Sequence, residues 1–150
     1  MNKKKMSILA LIVAAVILLV CFCSKDNTLH VDSDDMAEGA LICIYGWRDI
    51  DMLMSLTPYE EGTEIYDIAY RYFLSMMDNP GWVSSYDEVQ NLDMKKNDKQ
   101  AYEEMRHELE DYGITGVKTI KKYTYQCEGF DSISVYVAKI GRKWFTVMAD

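Results

Sequence analysis

The sequence predicts an α+β domain behind an N-terminal apolar segment. Three observations carry that reading. Apolar residues recur every three or four positions between Met36 and Tyr112, the period falls to two after Gly116, and residues 6–24 hold no charge at all. Helices followed by a separate run of strands give an α+β arrangement rather than an alternating α/β one. At 150 residues, 49% of them apolar, the chain has the length and composition of one folded domain, not of a disordered polymer.

The chain opens Met1-Asn2-Lys3-Lys4-Lys5, three positive charges ahead of the apolar run. As a helix rising about 1.5 Å per residue, the uncharged stretch reaches about 28 Å, close to the thickness of a bilayer's hydrocarbon core. Lysines ahead of such a run stay on the cytoplasmic side. The remainder is therefore expected at the outer face of the cytoplasmic membrane, membrane-attached through the N-terminus. The expected division is a signal peptide or membrane anchor over residues 1–23, a flexible tether over 24–35 and a single extracytoplasmic α+β domain over 36–150. The tether is polar and acidic, without apolar periodicity. Cys21, after Leu18-Leu19-Val20, resembles the lipid-attachment cysteine of a bacterial lipoprotein signal, although Val20 stands where that signal has a small residue. Lipidation at Cys21, an uncleaved anchor helix and cleavage near Cys23 are three endings that fit the segment.

Within the domain, Met36, Ala40, Ile44 and Trp47 share one helix face, opened by a cap at Ser33 or Asp34 and loosened near Gly46. Asp49 caps a second short helix that buries Met52, Leu53 and Leu56 and stops at Thr57-Pro58. A third helix spans Glu64–Met77. Its core stripe is Ile65, Ile68, Ala69, Tyr72, Phe73 and Met76, with Tyr66 and Tyr70 beside it, and Asp78-Asn79-Pro80-Gly81 ends it. Ser85-x-x-Glu88 has the form of a capping box and predicts a short helix toward Leu92, followed by a polar loop over 93–97. Residues 98–112 are helical again, with Ala101, Met105, Leu109 and Tyr112 inward and Gly113 as the stop. Tyr123, Tyr125 and Cys127 then alternate with polar residues, as do Ile133, Val135 and Val137. Gly141-Arg142 joins that strand to Lys143–Ala149 as a hairpin.

With 16 basic and 24 acidic residues the net charge is -8, which argues against nucleic acid as a partner. Two histidines and four cysteines are too few for the usual zinc sites, and no phosphate loop or other cofactor motif is present, so neither metal nor cofactor is expected. The charge is uneven. Residues 24–116 carry 7 basic and 21 acidic groups, net -14, whereas residues 117–150 carry 6 basic and 3 acidic groups, net +3. An anion-binding sheet face would produce that asymmetry. So would lysines that guard a sheet edge and complement acidic helices.

Residues 40–58, together with Lys139-Ile140-Gly141-Arg142-Lys143-Trp144-Phe145, resemble the small membrane-attached lipoproteins of Gram-positive bacteria that carry a nuclear transport factor 2-like, or cystatin-like, domain of unknown function. In that family a first helix passes through a Trp/Gly-x-Asp corner, here Gly46-Trp47-Arg48-Asp49, into a helix ending near a proline. The chain closes on a strand, a tight turn and a final strand. The likeness covers about residues 32–148. It implies a curved antiparallel sheet wrapped around a helix, a cone with an apolar mouth, and it brings no catalytic residue onto this chain.

An aromatic pocket is the expected site. Tyr123 and Tyr125 lie two apart and point the same way from one strand, Tyr70 lies on the third helix, and Trp82 follows Pro80-Gly81 as a rim residue. Core packing of the same rings is the competing account. Cys43 and Cys127 could bridge in an exported chain, yet each occupies an apolar position where a free thiol packs well. His107, on the most charged helix, and His30, in the tether, read as solvated. Asp49, Asp51, Glu60, Glu61 and Glu64 read as caps and a solvated turn. The function expected is a surface-tethered, non-enzymatic domain that binds a small ligand, a peptide or an envelope protein. A small hydrolase or isomerase using the same cavity, and a structural envelope subunit acting through its acidic helices, are the alternatives.

Overall fold

Asp32 starts the first helix, one residue before the expected caps: its carboxylate accepts from the amides of Asp34 and Asp35 at 2.9 and 3.0 Å, and α1 runs Ser33–Ile42. The structure, a computed structural model, describes residues 4–5, 31–78, 83, 85–129 and 132–150. Cys21, His30 and Trp82 lie outside those residues, as does the whole 1–23 segment apart from Lys4 and Lys5. Among the described residues no helix is long and apolar enough to cross a membrane.

The corner expected near Gly46 is a single π-helical turn, Cys43–Trp47, followed by Arg48 in the left-handed region at φ 54°. The Asp49 amide returns to the Cys43 carbonyl at 3.1 Å, and the Asp49 carboxylate accepts from the Met52 amide at 2.9 Å, opening α2, Ile50–Ser55. Thr63 caps α3, Glu64–Met77. The core stripe of α3 is rotated from the one expected. Ala69, Phe73 and Met77 form the buried row, with Tyr66, Tyr70 and Met76 packed at its flank, whereas Ile68 and Tyr72 are exposed. The row follows the i, i+4 spacing of a helix packed on the π-helical turn and α2. It turns Tyr72 outward, where its hydroxyl donates to the Ala149 carbonyl.

The sheet is antiparallel and open. Its strands, in spatial as in chain order, are β1 Lys4–Lys5, β2 Ser85–Asp93, β3 Val117–Cys127, β4 Ile133–Ile140 and β5 Lys143–Ala149. Between β2 and β3 lie α4, Met94–Asn97, and α5, Lys99–Asp111. β2 corrects the sequence reading, which placed a helix there. It pairs with β3 from Tyr86↔Cys127 to Asp93↔Lys121, and a register shift between Glu88 and Gln90 interrupts the alternation. That bulge hides a period of two from a sequence window. The expected loop at 93–97 is instead the turn of α4, which buries Met94.

Helices cover both sheet faces. Tyr123, Tyr125, Cys127, Ile133, Val135, Val137 and Ala149 meet α1, α2 and α3, while Ile120, Tyr136, Ala138 and Val147 meet Met94, Tyr102 and Leu109 of α4 and α5. In consequence residues 133–138 of β4 are buried without a break. On α5, Tyr112 is exposed rather than inward. Gly113, at φ 82°, ends the helix, with the Ile114 amide returning to the Leu109 carbonyl at 2.9 Å. The β5 edge is covered: the Thr146 amide donates to the Leu56 carbonyl at 2.9 Å and the Tyr59 hydroxyl to the Val147 carbonyl at 2.8 Å. The α+β class thus holds, with helices and an antiparallel sheet in three layers.

Candidate functional site

Tyr123 and Tyr125 do point the same way, toward α1, and they are interior: 0% and 2% exposed. Their rings stack at 6.5 Å between centroids, and Tyr86 of β2 meets Tyr125 edge-on at 5.3 Å. The three phenols form a row beneath α1. Asp34 and Glu38, one helical turn apart on α1, hold its two ends: the Tyr123 hydroxyl donates to Asp34 and the Tyr86 hydroxyl to Glu38. Ser33 Oγ lies within hydrogen-bond distance of the same Tyr123 hydroxyl, at 2.7 Å.

Burial, above all, raises all three phenols above their ordinary range, and the neighbouring carboxylates add to the shift. Protonated and donating to Asp34 and Glu38, Tyr123 and Tyr86 are fixed struts rather than bases. Tyr70 does not join the row; half-buried on α3, it stacks on Tyr66 at 6.2 Å. Sequence reasoning missed Tyr86, because a helix was assigned to its strand. It also missed Asp34 and Glu38 as partners, although two acids four apart on α1 were a readable signal.

Cys43 and Cys127 are free thiols buried in the same core. Burial pushes Cys43 up to about 12 and Cys127 to about 11, so at neutral pH neither is a nucleophile or a metal ligand. Asp49 caps α2, and Asp51, Glu60, Glu61 and Glu64 are exposed. His107 is exposed beside Arg106, which bridges Glu103 and Glu110 along α5 at 2.8 and 2.5 Å. Among the described residues no group of acids, histidines and cysteines could hold a metal ion. Asp87 is a buried carboxylate whose Oδ1 has no hydrogen-bond partner among the described residues. Strand alternation sets it on the face opposite Tyr86, so acid and phenol do not converge.

A second cluster lies where the chain enters α1. Lys121 Nζ donates to Ser33 Oγ at 2.9 Å and lies 5.3 Å from the centre of the Trp144 ring, over which Lys139 also lies at 5.6 Å. The register brings the start of β3, the end of β4 and the start of β5 together at this end of the sheet: Val117 pairs with Ile140, and Ile140 with Lys143.

No protein-family model matches the chain, nor does any curated protein or solved structure.

Proposed function

We propose that the chain is a non-enzymatic binding domain, held at the outer face of the cytoplasmic membrane by its N-terminal segment, whose partner is a neighbouring envelope protein or peptide met at its surface. The observation that carries this reading is in the sequence: three lysines followed by residues 6–24 without a charge. Two structural features support it. The helical domain starts at Asp32, within nine residues of that run, leaving a short tether. Tyr123 and Tyr125, expected to line a ligand pocket, instead fill the space between α1 and the sheet, with the Tyr123 hydroxyl tied to Asp34 of α1, which favours a surface partner over a small ligand within the sheet face.

The lipoprotein likeness belongs to the same proposal, with Cys21 as the attachment residue. The reading sets Lys4 and Lys5 on the cytoplasmic side or removes them with a signal peptide, so it requires their two-residue pairing with Ser85 and Tyr86 to open. The test is fractionation of intact cells and protoplasts. The protein is expected in membranes, with its C-terminal domain cut by external protease. Full-length chain in the soluble cytosol would defeat the proposal. Cys21→Ala separates lipidation from a helical anchor, since unchanged mass and attachment would rule out lipidation.

A further inference from the structure

The basic end of the sheet lies beside the point where the tether enters the domain. Lys118, Arg142 and Lys143 are exposed there, and none has an ion-pair partner among the described residues. Lys139 stands over Trp144 on the same hairpin. Lys121, by contrast, is engaged with Ser33 next to Asp34 and is left out of the free charge. The contact from Ser33 to Lys121 to Trp144 sets this end next to the tether, beside the exposed acids Asp32, Asp34 and Asp35 that open α1. Residues 24–32 extend at most about 30 Å, at roughly 3.4 Å per residue. Residues 24–116 carry net -14 and residues 117–150 net +3, so an anionic surface repels most of the domain and attracts this end.

We infer that the β4–β5 hairpin and the start of β3 dock on anionic lipid headgroups, fixing the orientation of the tethered domain, with Lys118, Lys139, Arg142 and Lys143 as the contacting cations. The inference rests on the membrane-held reading above. Its occupant is a lipid surface, because the patch is a hairpin end carrying exposed cations beside a tether that leads to the bilayer. Each cation near such a surface shifts docking by about fivefold, so neutralising three weakens it by roughly 100-fold. Attraction of this kind fades beyond a Debye length of about 8 Å at physiological salt.

The test uses the full chain reconstituted into vesicles of phosphatidylcholine alone or with one third phosphatidylglycerol, read by amide hydrogen exchange. On anionic vesicles the peptides covering 139–145 are expected to exchange more slowly than on neutral ones, and the difference should vanish at 0.5 M salt. Lys118→Gln/Arg142→Gln/Lys143→Gln should remove it, whereas the equal charge change at the exposed residues Lys95, Lys96 and Lys99 should not. Equal exchange of the hairpin on both vesicles would overturn the inference. So would equal effects of the two triple variants, or protection on neutral vesicles that grows with protein density, which would mean contact between copies. Flotation with neutral vesicles reports the tether separately. Chain that floats without hairpin protection keeps the tether and loses the docking. Chain that binds only anionic vesicles, through the hairpin cations, does the reverse.

Discussion

The hydroxyl of Tyr123, from the middle of β3, donates to the carboxylate of Asp34 in the first turn of α1 and so ties the helix to the sheet at a fully buried ring. Tyr123→Phe keeps the ring and removes the tie. Asp34 is exposed and regains water, so the loss should fall near the lower end for a bond to a charged group, about 1–2 kcal/mol. The denaturant midpoint should fall with an unchanged slope. A cycle with Asp34→Ala should show coupling of at least about 0.5 kcal/mol. Additive effects would mean that the contact does not stabilise the fold.

Tyr125 is the centre of the aromatic row, stacked on one side and met edge-on at the other. Tyr125→Ala should cost about 3–5 kcal/mol, as for other large aromatic truncations in a core. Tyr66, half-buried on the flank of α3, should lose well under half of that when cut to alanine. Similar melting temperatures for the two variants would contradict the packing described.

The β5 strand is held from two sides, by pairing with β4 and by contacts to Leu56, Tyr59 and Tyr72 along its outer edge. A chain stopped at Gly141 loses Val147 and Ala149 from the two cores and strands those three partners. It should show no cooperative thermal transition. A cooperative melt in the shortened chain would sink this account of the sheet.

The hairpin and the Asp49 cap were legible because each is local, whereas the cap of α1 is Asp32 and not Ser33 or Asp34. Gly141 takes φ 62° in a two-residue turn, and Asp49 sits three residues ahead of the amide it caps. β2 was not legible, because a bulge breaks its alternation and its Ser85-x-x-Glu88 spacing imitates a helix start. Nor was the orientation of α3, where one aromatic-rich helix offers two adjoining stripes and only tertiary packing decides between them. The tyrosine row could be placed on one strand face from the sequence. That α1 would close over it, with Asp34 and Glu38 at its ends, depends on contacts 48 to 90 residues apart in the chain.

Alkaline pH should destabilise the domain ahead of any change in its surface charge pairs. Cys127 and Cys43 stand at about 11 and about 12 in the folded state against an ordinary 9.0, and the phenols of Tyr59, Tyr86, Tyr123 and Tyr125 are all raised from 10.0 by burial first of all. A raised acid keeps its proton in the folded chain while the unfolded chain gives it up. The unfolded state therefore binds fewer protons, and stability falls as pH rises. Below pH 9 both states hold these protons and the contribution is intact. Above it each thiol adds a slope of up to about 1.4 kcal/mol per pH unit until its folded-state value is reached, and the phenols join from pH 10. Melting temperatures measured from pH 7 to 11 should be level to about pH 9 and then fall with increasing steepness. In the Cys43→Ala/Cys127→Ala variant, whatever its stability at neutral pH, the fall should start nearer pH 10. A level profile up to pH 11, or an unchanged onset in that variant, would show that the two thiols are not held in a protonating interior.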